Sequence, residues 1–154
     1  MSRQDKLIVL LASWFGAGRL PLAPGTWGSL AVLPLWWLLQ PLSILKYSLT
    51  IIVLLIGGIY LSGRAETLLK QHDAPVIVID EVVGQLIALA GCPRNVFFML
   101  MSLALFRLFD IVKPFPAGLI NTRLTGGLGI MLDDVVAGLY AWLVLTALIR
   151  FMIP

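Results

Sequence analysis

Five apolar stretches, at 29–43, 44–61, 82–91, 95–112 and 135–153, fill most of a 154-residue chain and leave little from which to build a water-facing surface. Hydrophobic residues make up 60% of the sequence and charged residues 12%, against roughly 25% charged in an average soluble domain. One compact domain of this length cannot hide that much apolar surface in its core, so lipid must cover part of it. A straight crossing takes about 20 apolar residues, a length that only the second, fourth and fifth stretches approach. The first holds Pro34 and ends at Gln40-Pro41, which predicts a kinked or tilted helix. The third gains length only by extending backward into VIVIDEVVG, with its carboxylates turned toward protein rather than lipid. Leu7 to Phe15 is too short to cross and reads as an interfacial or re-entrant helix. Arg3 and Lys6 ahead of it give it the start of a secretory leader, but the proline-rich GAGRLPLAPGTWGS stands where a small-residue cleavage site is needed, so this segment is expected to be retained.

Five crossings put segments 1–28, 62–81 and 106–134 at one membrane face. That face receives Arg3, Lys6, Arg19, Arg64, Lys70, Arg107, Lys113 and Arg123, whereas Lys46, Arg94 and Arg150 fall on the other. The asymmetry predicts a cytoplasmic first face. All the acids, Asp5, Glu66, Asp73, Asp80, Glu81, Asp110, Asp133 and Asp134, lie on that same face. The positive-inside rule does not ask for this, since acids contribute little to it. The basic residues are scattered singly, without the stripe that nucleic acid needs, so no nucleic-acid partner is expected. The only cysteine, Cys92, rules out an intrachain disulfide and lies in a turn, 91–95, expected on the far face.

Two paired acids precede apolar runs of similar pattern, IDEVVGQLIAL at 79–89 and LDDVVAGLYAW at 132–142. Helix capping accounts for one acid at each helix start. Two adjacent acids at both starts call for more, because ionisable groups at a membrane boundary are costly and mark function. An all-oxygen set suits a hard cation, and Mg2+ binds through one or two carboxylates, water and substrate phosphate oxygens. The expected metal ligands are Asp80, Glu81, Asp133 and Asp134. Zinc is disfavoured, because His72 is the only histidine.

In FRLFDIVKPFP, Arg107, Asp110 and Lys113 recur every third residue on one side of a helix that Pro114 ends. A local ion-pair ladder would explain them. The functional alternative gives Asp110 to the acidic cluster and sets Arg107 and Lys113 against phosphate oxygens, with Arg64 as a further cation. GAGRLPLAPGTWGSL and TGGLGIMLDD read as glycine-rich loops whose N–H groups can approach a phosphate, placing Gly126 and Gly127 beside substrate. Ordinary turn chemistry explains the same glycines. Thr26 and Ser29 offer hydroxyls to substrate, or cap a helix. His72 reads as part of a solvated turn, while Asp73 can reach the cluster. Cys-x5-Arg, two-histidine and DxDx[TV] phosphatase schemes are all missing, which leaves a metal-activated water as the nucleophile.

PLAPGTWGSL at 21–30, HDAPVIVIDEVVG at 72–84, FRLFDIVKPFP at 106–116 and GGLGIMLDDVVAG at 126–138 together resemble the bacterial phosphatidylglycerophosphatase A family. The resemblance covers most of the chain. It implies Mg2+-dependent hydrolysis of phosphatidylglycerophosphate to phosphatidylglycerol and phosphate at the cytoplasmic side of the inner membrane. Its acidic positions fall on Asp73, Asp80, Glu81, Asp110, Asp133 and Asp134, with Arg107 and Lys113 beside them. Asp73, Asp80, Asp110, Lys113 and Asp134 are the expected catalytic residues, with Asp73 or Asp110 as general base.

The expected fold is all-α, a single domain over 1–154 forming a polytopic membrane helix bundle, with an interfacial polar active site made from helix ends and Gly/Pro-rich loops. The bilayer and its phospholipid are the expected partners, and nothing calls for an obligate protein partner. An ion-coupled transporter would also place acids among broken helices, but these acids lie near one face rather than at midplane. A metal-dependent phosphatidyltransferase is the other alternative, although the DGxxAR signature is missing.

Overall fold

The computed structural model describes residues 1–152, apart from the side chain of Asn121. Residue 153, the end of the fifth apolar stretch, and residue 154 of the expected domain lie outside the described residues. Among those described the chain is helical, without strands: α1 (Arg3–Ala12), a 3-10 turn (Ala17–Arg19), α2 (Pro24–Ala31), α3 (Leu33–Leu39), α4 (Ile44–Leu69), α5 (Ile79–Ala88), α6 (Val96–Val112), α7 (Ala117–Arg123) and α8 (Gly126–Met152).

Two helices, α4 with 26 residues and α8 with 27, are long and apolar enough to span a membrane. Each measures about 40 Å at 1.5 Å per residue. Their outward faces carry Ile52, Val53 and Ile56 on α4 and Leu139, Leu143 and Val144 on α8, all exposed large apolar side chains. Exposed apolar faces on helices of this length suit contact with lipid.

α5 occupies the centre. Val82, Val83, Gln85, Leu86 and Ala88 are wholly buried, enclosed by α2, α4, α6 and α8. Ten residues make only about 15 Å of helix, so its last carbonyls end inside the protein and need donors there. Tyr47 O–H donates to the Leu86 carbonyl at 2.6 Å, and Trp142 Nε1–H donates to the Ala90 carbonyl at 3.0 Å. These contacts also fix direction, since the end of α5 meets the start of α4 and the middle of α8. α5 therefore runs parallel to α8 and antiparallel to α4. α6 also opposes α5: Ser102 accepts from Gln85 Nε2 at 3.1 Å, and Phe106, further along α6, faces Gly84.

α5 and α8 cross glycine on glycine. A methyl group on Gly138 would overlap the Gly84 carbonyl, and one on Gly84 would strike the Phe106 ring and the Asp134 carbonyl. Close approach of two backbones, the usual role of small residues between membrane helices, brings the carboxylates of both helices together one turn away.

Several sequence expectations change. Residues 29–43 form two helices broken at Val32–Leu33, just ahead of Pro34, and the first of them begins at Pro24. Pro24 stands in the first turn, where its missing N–H costs nothing. α4 continues eight residues past 61, through Arg64 and Glu66, because GRAETLL consists largely of good helix formers. TGGLGIMLDD is not a loop: α8 starts at Gly126, so Asp133 and Asp134 are its eighth and ninth residues rather than its cap. Glycine disfavours helix, but Gly127 packs on the Ile59 carbonyl of α4 with no space for a side chain, and that packing overrides the propensity.

Candidate active site

α5 presents Asp80 and Glu81 in its first turn, where the partial positive charge of the helix end favours carboxylates. Asp134 of α8 faces them across the glycine crossing. One oxygen from each of Asp80, Glu81 and Asp134 lies within 4.8 Å of the others. Asp80 and Asp134 are almost fully buried, at 7% and 3% exposure. Asp80 Oδ1, Glu81 Oε2 and Asp134 Oδ2 are shielded from solvent and accept no hydrogen bond. Three clustered carboxylates, each with a buried oxygen that lacks a donor, are strongly unfavourable as a set of anions unless a cation lies among them. Their all-oxygen chemistry fits a hard divalent ion.

Asp133, expected as a fourth metal ligand, is placed differently. Lys113 Nζ donates to Asp133 Oδ2, and Asp133 Oδ1 accepts from the Asp134 N–H at 3.1 Å. Lys113 can do this because α6 ends just before it: Lys113 is the C-cap, at φ +47°, and Pro114 bars another turn. The side chain thus leaves α6 and crosses to α8. Arg107 and Asp110 remain on α6 and pair at 2.6 Å, with Glu81 3.7 Å from the same guanidinium nitrogen. Asp110 also borders Asp134. The expected three-residue ladder is therefore one pair within α6 and one bridge to α8.

Asp73 lies in the loop after α4, at φ +45°, with Lys113, Asp133 and Asp110 as electrostatic neighbours. Its side chain reaches the surface. Loss of hydration raises its carboxyl above the ordinary value; Lys113 pulls it back, and Asp133 pushes it further up. His72, beside it, is exposed and paired with Glu66 at the end of α4. That hydrogen bond raises the imidazole above its usual value.

The expected substrate contacts divide. Arg107 and Lys113 border the carboxylates. Ser29 is buried, and its hydroxyl donates to the Gly25 carbonyl at 2.9 Å, bracing α2. Thr26 is half-buried in the first turn of α2. Arg64 is exposed, with Asp5 of α1 as an electrostatic neighbour. Gly126 opens α8 at φ +71° with Glu66 nearby, and Gly127 is committed to packing on α4. Sequence reasoning missed Gly25: a methyl group there would overlap Glu81 Oε1 and come within 2.7 Å of Arg107 Nη1. The first turn of α2 thus closes over the Glu81 and Arg107 side chains. The signal was a glycine directly after the proline that starts a helix, overlooked in favour of neighbouring hydroxyls.

The family model for phosphatidylglycerophosphatase A matches residues 10–149. The chain is 43% identical to phosphatidylglycerophosphatase A of Haemophilus influenzae over 148 residues, covering 95% of this chain and 91% of the relative. It is 39% identical to phosphatidylglycerophosphatase A of Escherichia coli over 130 residues, 84% of this chain and 76% of that protein. A protein of Bacteroides thetaiotaomicron, provisionally named phosphatidylinositol-3-phosphatase, is 36% identical over 161 residues, covering 99% of each. No solved structure matches. With the match running through every helix that carries the carboxylates, the chain belongs to the phosphatidylglycerophosphatase A family.

Proposed function

We infer that this chain is a single-domain, multi-pass membrane phosphatase that hydrolyses phosphatidylglycerophosphate to phosphatidylglycerol and inorganic phosphate with the help of Mg2+. The observation that carries the reading is the convergence of Asp80, Glu81 and Asp134 with unpartnered oxygens, flanked by Arg107 and Lys113. Family membership sets the transporter and phosphatidyltransferase alternatives aside and supplies the substrate class.

Asp80, Glu81 and Asp134 would hold Mg2+, which when bound polarises a phosphoryl oxygen and makes water a better nucleophile. Arg107, kept in place by Asp110, sets its guanidinium toward the equatorial phosphate oxygens, where charge accumulates during transfer. Lys113 does the same from the other side, held by Asp133. Asp133 thus acts through Lys113 rather than as a metal ligand. Asp73, at the rim with a raised carboxyl, is placed to take the proton of the attacking water. Asp110 is engaged with Arg107, which favours Asp73 as the base. The glycerol headgroup enters at this polar end while the acyl chains stay in lipid.

Phosphate release by the purified protein from a panel of lipid phosphomonoesters, with and without Mg2+, tests the reading. Phosphatidylglycerophosphate is expected to be the fastest substrate, and chelation to abolish turnover. Because one relative bears an inositol-lipid name, phosphatidylinositol 3-phosphate belongs in the panel. Faster turnover of that lipid would replace the proposed substrate while keeping the site.

The same reading puts the acidic end at the cytoplasmic face of an inner membrane, and the support is the count of Lys and Arg residues, eight of eleven of which belong to segments 1–28, 62–81 and 106–134. The Cys92 thiol, in the turn expected on the far face, cannot report this, because it is buried against the core. In a Cys92→Ser background, the Arg94→Cys variant should label with a membrane-impermeant maleimide on intact spheroplasts, since Arg94 is exposed. The Thr122→Cys variant should label only after the membrane is opened. The opposite pattern would invert the protein.

A further inference from the structure

Beside the acidic end, but apart from the carboxylates, α1, the 3-10 turn and the end of α4 enclose a cavity of about 490 Å³ lined by Met1, Lys6, Val9, Leu10, Arg19 and Leu69. Its lining side chains are apolar except for those of Lys6 and Arg19. Val9 is buried, whereas Lys6 and Arg19 are exposed. Among the described residues, neither cation has a carboxylate within ion-pair distance. Asp5, the acid next to Lys6 in sequence, is tied into the cap of α1 through the Ser2 N–H at 2.7 Å. α1 itself is anchored, since it packs along α4 and its Ala12 carbonyl accepts from the Val78 N–H at 3.0 Å. The cavity is thus a built feature beside the end of α4, a helix long enough to span a membrane.

Two uncompensated cations above an apolar cavity complement an amphipathic anion. Free phosphate would gain nothing from the apolar lining, and a neutral lipid nothing from the charges. We propose that this cavity is an accessory binding site for an anionic phospholipid, one acyl segment lying against Val9, Leu10 and Leu69 and the headgroup phosphate between Lys6 and Arg19. The site rests on the membrane reading of the chain but not on the identity of the phosphatase substrate.

Native mass spectrometry of the detergent-purified protein tests it, using phosphatidylserine as the anionic probe, since its phosphodiester offers the acidic site no monoester to hydrolyse. Phosphatidylserine should be retained in preference to zwitterionic phosphatidylcholine, and inorganic phosphate should not displace it. The Lys6→Gln/Arg19→Gln double variant should bind phosphatidylserine about tenfold or more weakly, from the contribution of each basic residue to anionic-lipid affinity. Its phosphatidylcholine binding and its phosphatase turnover in detergent should be unchanged. Leu10→Trp, which fills the cavity from an exposed helix position, should lower phosphatidylserine retention without touching the charges. Equal retention of phosphatidylserine by wild type and either variant, or its displacement by inorganic phosphate, would overturn the proposal. A protein inactive on every phosphomonoester that still shows the Lys6- and Arg19-dependent preference would sink the substrate reading and leave this site standing.

Discussion

Asp80→Asn and Asp134→Asn are each expected to reduce phosphate release by about a hundredfold or more while the protein keeps its helical fold. Each change is nearly isosteric and replaces a carboxylate, one of whose oxygens is buried without a donor, by a neutral amide. Charge stabilisation by a catalytic cation amounts to several kcal/mol, and each 1.36 kcal/mol is about tenfold in rate. Folding should tolerate the change, because a neutral amide relieves the crowding of buried like charges among Asp80, Glu81 and Asp134. The measurements are phosphate release across a Mg2+ titration and far-ultraviolet circular dichroism on the same preparations. The Mg2+ concentration for half activity should rise in both variants. Near-normal turnover at saturating Mg2+ in both would make these acids structural and remove the proposed metal site.

Arg107→Ala is expected to cost about a hundredfold in kcat with little change in the Mg2+ requirement, and Lys113→Ala to behave alike. Removing one preorganised donor from a developing oxyanion typically costs about 10²–10³ in rate, and both cations lie beside the carboxylates rather than among the three that converge. Arg107→Lys should recover little, since one ammonium cannot pair with Asp110 and present a planar fork to phosphate together. Asp133→Asn should follow Lys113→Ala rather than Asp80→Asn, because Asp133 accepts from Lys113 Nζ. A Mg2+ midpoint moved strongly by Lys113→Ala, and by none of the acid substitutions, would reverse the roles assigned to the two groups.

Composition alone determined that much apolar surface stays outside the core, because 60% hydrophobic residues exceed what one small core can bury whatever the topology. The gathering of the site's acids near one end was equally legible, since apolar segments that alternate direction sort charges by position along the chain. The four motif blocks carried the family resemblance because the carboxylates and their flanking small residues recur in order. Helix ends were harder to read. Gly126 and Gly127 look like a loop in isolation, and only the α4 backbone waiting beside Gly127 shows that the glycines serve close packing within a helix. That packing moves Asp133 and Asp134 from a cap into the third turn of α8, where adjacent residues point in different directions. The two acids therefore take different partners, Asp134 facing Asp80 and Glu81 while Asp133 meets Lys113. Spacing along the chain could not separate them, because the separation depends on where α6 stops and which side of α8 it meets. The same holds for Gly25, whose contact with Glu81 and Arg107 joins three segments distant in sequence. Local pattern fixes which residues carry charge and which segments are apolar, but which charges meet is decided only by the oxygens and nitrogens that the crossing of α5, α6 and α8 brings within reach of one another.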